Sequence, residues 1–342
     1  NGSIATPGTH QTALQSTLNT DGYICTYTIN GSACSKIYGT YYGSSSSPEN
    51  ITGIGYLANT NEIILVGNSG DGTLSAGSNF ANNNGGTQTP MGGCDMIYAK
   101  FNSNLNRVLG SYIGGPSDDY AEGLVAVPAQ SSSVVYIYGN TISNSGIATS
   151  GALYSALSGT LDGCVFMMNK SDGNKNAGTY FGGNGDDGIT DANLDEEYQL
   201  WITGYTNSTN NIATQQTFQN TLSGPEDAFI AKLTMNNMLY GTYFGGSNID
   251  EGLGIYPLSK SAIYFCGITN STNNIPLTAF QATNGGGYDA FISKLEEACS
   301  FTTNLTTPTP TLCESNPIKD RKIIRYNKRT WHHPARQTLL PI

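Results

Sequence analysis

One phrase returns four times along this 342-residue chain: GTYYGS from Gly39, GSYIGG from Gly110, GTYFGG from Gly178 and GTYFGG from Gly241. The intervals are 71, 68 and 63 residues. A second phrase follows each in step: EIILVGN ending at Asn68, VVYIYGN ending at Asn140, QLWITGYTNST from Gln199 and AIYFCGITNST from Ala262. A third opens with aspartate: DMIYAK from Asp95, DGCVFM from Asp162, DAFIAK from Asp227 and DAFISK from Asp289. Three phrases kept in one order over four copies make an internal repeat. Such a repeat is one supersecondary unit stacked on its neighbours.

Each phrase reads as a strand. LWITG and IYFCG are β-branched and aromatic runs bounded by Gly and Asn. DAFISKL alternates, with Ala290, Ile292 and Lys294 on one face and Phe291, Ser293 and Leu295 on the other. A fourth short run precedes each second phrase: ITGIGYL near Gly55, GLVAVP at Gly123, GITDANL at Gly188 and GLGIYP at Gly252. Four strands in about 65 residues is the size of a propeller blade. The expected fold is therefore all-β, a β-propeller of four-stranded blades.

The stretch from Gly178 to Gly246 resembles the SBBP (beta-propeller repeat) family of bacterial secreted and cell-surface proteins almost phrase by phrase. That pattern runs GTYLGG, a Gly-Asp turn, GIAVD, YVTGxTxS, FQ before a Gly-rich turn, and DAFVxKL. The likeness covers roughly residues 36–300 and is tightest in the third and fourth repeats. Met167 stands where the others carry Lys100, Lys232 and Lys294, and the first repeat lacks the Gly-Asp turn. By analogy with related propellers, GIAVD-type strands lie innermost and GTYFGG-type strands outermost.

The N-terminus carries a partial copy: TPGTHQ from Thr6 matches TAFQ from Thr278, and DGYI from Asp21 matches DAFI from Asp289. We expect a partial blade over 1–35 and repeats over 36–106, 107–175, 176–238 and 239–300. A Thr/Pro linker over 301–317 and a basic tail over 318–342 follow. The last blade lacks a GTYFGG strand. Lys36–Gly43 would complete it in cis, or complete a neighbouring molecule's blade and build a filament by strand donation; a piece of a longer propeller is the third reading.

Charge narrows the partners. The net charge is −10, yet residues 1–316 hold eight Lys/Arg against 24 Asp/Glu, and the last 26 residues hold seven basic groups and one Asp. So acidic a body does not neutralise a phosphate backbone, so no nucleic-acid partner is expected. No run of 18 apolar residues exists, so no helical membrane insertion is expected either. Asn, Ser and Thr in place of Lys, together with seven cysteines and no C-x-x-C pair, fit an extracellular or cell-surface setting. Disulfide candidates are Cys25 with Cys34, flanking a turn at Asn30-Gly31, and Cys299 with Cys313.

No catalytic set emerges. His10 is the one histidine before residue 317, read as a solvated or turn residue, and Arg107 is the one arginine there. That excludes a sialidase-type arginine cluster. Adjacent acids such as Glu196-Glu197 face opposite ways on a strand and form no glycosidase dyad. Asp118, Asp119, Asp186, Asp187 and Asp250, in Gly-Asp turns, are candidate calcium ligands, with simple Asx turns as the alternative. Sequons mark Asn30, Asn50, Asn169, Asn207, Asn270 and Asn304 for glycosylation. We expect a non-enzymatic structural or adhesive module that associates with itself or with surface proteins and glycans. A lectin or carbohydrate-active enzyme is the competing reading.

Overall fold

The computed structural model describes residues 4–15, 19–70, 89–127, 133–275, 281 and 283–297, and the strand 318–323. Among them are strands and turns and no helix. A hairpin of β1 (Gly22–Asn30) and β2 (Ala33–Tyr42) comes first. Four antiparallel sheets follow, each a four-strand meander in chain order. Sheet I holds β3 (Glu49–Leu57), β4 (Glu62–Ser69), β5 (Asp95–Phe101) and β6 (Arg107–Ile113). Sheet II holds β7 (Asp119–Ala126), β8 (Val134–Thr141), β9 (Asp162–Asn169) and β10 (Lys175–Phe181). Sheet III holds β11 (Asp187–Leu194), β12 (Leu200–Thr206), β13 (Asp227–Thr234) and β14 (Asn237–Phe244). Sheet IV holds β15 (Asp250–Ser259), β16 (Ala262–Thr269), β17 (Asp289–Glu297) and β18 (Ile318–Ile323).

The GTYFGG phrase opens each repeat as read along the chain, but in space it closes the hairpin and sheets I, II and III. Two expectations about the ends are corrected. Lys36–Gly43 completes no other sheet of its own chain; it lies largely in β2 and pairs with β1. The fourth place in sheet IV goes to Ile318–Ile323, from the basic tail, which pairs with β17. The reason for the first is local: only Gly31 and Ser32 separate the pair Asn30↔Ala33, and Gly31 takes φ 63. A two-residue hairpin closes at little entropic cost.

The sheets pack face to face in chain order. One apolar cluster joins the hairpin to sheet I, and others join I to II, II to III and III to IV. The first strands β3, β7, β11 and β15 lie beside one another in succession. Inner strands are consequently covered on both faces: in β13, Phe229 packs toward sheet II and Ile230 toward sheet IV. This is why DAFIA reads as a nearly unbroken apolar run, while only the last copy, in β17, keeps a clean buried/less-buried alternation.

Polar clamps fix the stacking. Asn68 of β4 accepts from the backbone N–H of Ala121 (2.6 Å) and donates to its carbonyl (3.2 Å), reaching from sheet I to sheet II. Asn140 repeats half of this toward Ile189 of sheet III (2.8 Å). Removing Asn68 would leave two buried backbone groups without these partners. Asn68→Ala is expected to cost about 1–3 kcal/mol, read as a fall in denaturant midpoint at unchanged slope.

Candidate functional site

The recurring polar residues gather where one sheet gives way to the next. At the junction of sheets II and III the chain leaves β10 through Gly182 and Gly183 and enters β11 at Asp187. The Asp187 carboxylate is buried and accepts from the Gly183 N–H (2.8 Å) and the Ser208 hydroxyl (2.6 Å). Asp119 is held in the same way by Gly115 N–H (2.6 Å) and Ser143 Oγ (3.0 Å), with Thr141 added. Asp250 is held by Gly246 N–H (2.7 Å) and Ser271 Oγ (2.7 Å). Sheet I uses a longer acid: Glu49 accepts from the Ser44 N–H and from the hydroxyls of Ser44, Ser47 and Ser69.

At the II–III and III–IV junctions a second acid faces the first across the first glycine of the Gly-Gly pair. A Cβ on Gly182 would stand 2.7 Å from Asp187 Oδ2 and 2.8 Å from Asp162 Oδ1. One on Gly245 would stand 2.6 Å from Asp227 Oδ1 and 2.8 Å from Asp250 Oδ2. The second glycine is equally constrained, since a Cβ on Gly183 would lie 2.1 Å from the Asn210 carbonyl oxygen. The Gly-Gly of the phrase therefore exists to let two carboxylates and a loop approach the backbone. Asp162 accepts from Ser158 and Gly159 N–H groups, and Asp227 from Ser223 and Gly224 N–H groups and Gln219 Nε2. Sequence reading set these third-phrase aspartates aside as strand heads. Their recurrence at every copy was the signal for the part that Asp162 and Asp227 take in their junctions.

Burial sets the electrostatics. Removal from water pushes Asp119, Asp162 and Asp227 up to about 6, against the opposing pull of their hydrogen-bond donors. The same cause raises Glu49, Asp95 and Asp187. The II–III and III–IV junctions thus each hold two acids in a poorly solvated space, where burial favours the protonated form.

The candidate calcium ligands separate into two roles. Asp119, Asp187 and Asp250 are the strand-opening acids just described. Asp118 and Asp186 instead turn toward the preceding sheet, accepting from Cys94 N–H (2.8 Å) and from Thr160. No group of three or more His, Cys, Asp or Glu converges on a common point among the described residues.

The pairing of Cys25 with Cys34 is corrected by the hairpin register. Cys25 lies opposite Gly39 and Cys34 opposite Ile29, and both thiols are free. A turn centred on Gly31-Ser32 puts the two cysteines at different heights of the ladder, out of disulfide reach. Cys299, Cys313 and Asn304 lie outside the described residues. Asn30, Asn50 and Asn207 are exposed, and Asn169 and Asn270 are half-buried. His10 lies in a turn segment, as one of its two expected places, and is half-buried there: it packs on Tyr42 and Phe101 (5.8 Å to each ring), and burial lowers it to about 4. Glu197 pairs with Lys260 at the surface (3.2 Å).

The threonines and tyrosines of the third and fourth GTYFGG phrases are bonded within the structure too. Thr179 and Thr242 of GTYFGG hold the backbone of Tyr154 and Gln219, and the next residues, Tyr180 and Tyr243, donate to the Ser143 and Ser208 carbonyls. No protein-family model matches the chain, and no curated protein matches it.

Proposed function

We propose that this chain is a β-propeller module of the SBBP type that serves outside the cell or on its surface as a structural or adhesive scaffold, without catalysis. One observation carries the reading: the polar side chains that recur from copy to copy are taken up in bonding the sheets to themselves. Asp, Gln, Ser, Thr and Tyr of the phrases hold loops and sheet junctions. Residues kept for chemistry would instead converge on a shared cleft. The face-to-face stacking with neighbouring first strands supports blades around an axis. The setting is supported by the Asn/Ser/Thr-rich, Lys-poor composition alone, since the five described cysteines are free and add nothing to it.

What such a scaffold offers a partner is a tyrosine-bearing surface, with Tyr56, Tyr198, Tyr256 and Tyr288 exposed. Aromatic faces of this kind bind protein surfaces and sugar rings with little charge. A glycan array run beside hydrolysis assays on the same preparation tests the reading. The scaffold is expected to release no product from any glycan. Turnover abolished by exchanging a single acid would replace it with an enzyme, and glycan capture lost on exchanging one of these tyrosines would favour a lectin.

A further inference from the structure

Between consecutive sheets the same two kinds of face meet: the leading face of one is covered by the trailing face of the next. In sheet III the leading face carries Trp201 opposite Lys232 and Thr203 opposite Ile230. Lys232 Nζ lies 5.3 Å from the Trp201 ring, and sheet IV covers the group, leaving Trp201 2% exposed. Sheet IV repeats the arrangement in the same register, with Tyr264 opposite Lys294 and Cys266 opposite Ile292. Here the face is open: Tyr264 is 41% exposed, and Tyr256, its cross-strand neighbour in β15, is 62% exposed.

The complementary face is open at the other end. In β13, Phe229 and Leu233 form part of the trailing face and are buried against sheet II. The corresponding positions of β1 are Tyr23 and Tyr27, 60% and 55% exposed, and Ile29 beyond them is 77% exposed. One leading face and one trailing face therefore stand uncovered, each of a kind covered at every internal junction. Contiguous apolar patches of this sort mark association sites, and the free energy follows the apolar area removed from water.

We propose that the open face of sheet IV in one copy packs on the open face of the β1–β2 hairpin in a second copy, making head to tail the interface the chain already makes four times within itself. This names a partner for the scaffold reading and rests on its self-association, but it needs no strand donation. β2 stays paired with β1, and side chains make the contact. The interface is heterologous, so each copy keeps one face of each kind and further copies add in a row, or in a ring if the rotation closes.

Light scattering on the full chain, from roughly micromolar to near-millimolar concentration, tests it. Two variants block one end each: Tyr264→Asp with Ile292→Asp, and Tyr23→Asp with Tyr27→Asp. Circular dichroism and melting confirm that both fold, as expected for exchanges on open faces. The wild-type mass is expected to rise with concentration, and each variant alone to stay monomeric. An equimolar mixture should form one-to-one dimers and nothing larger, because each partner retains the face the other lacks. A wild type monomeric throughout, or a blocked variant that associates as the wild type does, would overturn the proposal. Thiol labelling of Cys266, mapped by mass spectrometry, reads the same face: protection should grow with protein concentration. Protection independent of concentration would mean that the chain's own residues cover the face, and would also overturn it. Either failure leaves the scaffold reading standing, since that falls to turnover or tyrosine-dependent capture in the glycan assays.

Discussion

Phe229→Ala is expected to destabilise the protein by about 3–5 kcal/mol, whereas Tyr23→Ala, at the same position of the same motif, should stay within about 0.5 kcal/mol in the monomer. Both residues stand two places after the aspartate that opens the third phrase. Phe229 is fully buried between sheets II and III, with its ring 4.9 Å from that of Phe181. Truncating it opens a cavity between two sheets that are pinned by their own hydrogen bonds and cannot collapse into it. Tyr23 faces water, so its loss removes little that the fold had gained. Denaturant midpoints of the two variants against the parent check the contrast. Because stacked units share their stability through interfaces, the Phe229 variant should also broaden the transition. Equal costs at both positions would mean that the hairpin is covered in the monomer.

Acid is expected to stabilise the protein. Asp119, Asp162 and Asp227, pushed up to about 6 by burial, bind protons in the folded state at pH values where the unfolded chain has released them. For acids raised on folding, the stabilisation is fully present below the unfolded value near 4 and is lost as pH rises through about 6. Each contributes at most on the order of 2–3 kcal/mol over that window. His10 acts oppositely: lowered to about 4, it costs stability as pH falls from 6.5 toward 4. With three acids against one histidine the acids prevail, and the melting temperature should be several degrees higher near pH 5 than at pH 7.5. Asp162→Asn should flatten the profile. Stability rising with pH across this window would show that the junction acids are ionised and compensated. A calcium ion between Asp162 and Asp187 would compensate them, and melts at pH 7.5 with added calcium and then chelator read that directly.

Much of the secondary structure was legible because its causes are local. Glycine-bounded β-branched runs such as LWITG place strands wherever they sit, and the turn expected at Asn30-Gly31 falls one residue later, at Gly31-Ser32. The acids were legible only one at a time. Asp186 and Asp187 are neighbours in sequence, yet they serve different loops. Asp162 and Asp187 are 25 residues apart, yet they abut one glycine. The cysteine pairing failed for a similar reason: Cys25 and Cys34 flank a turn, but a ladder pairs residues by their distance from its centre.

What the sequence determined by itself was the unit: four strands, their order, and a polar cassette repeated with each copy, because alternation, turn chemistry and repetition all act within a few tens of residues. What only the tertiary structure decided was the covering. A period of two says that a strand has two faces and is silent on what lies against either, so Phe229 and Tyr23 look alike until sheets stack over one and leave the other in water.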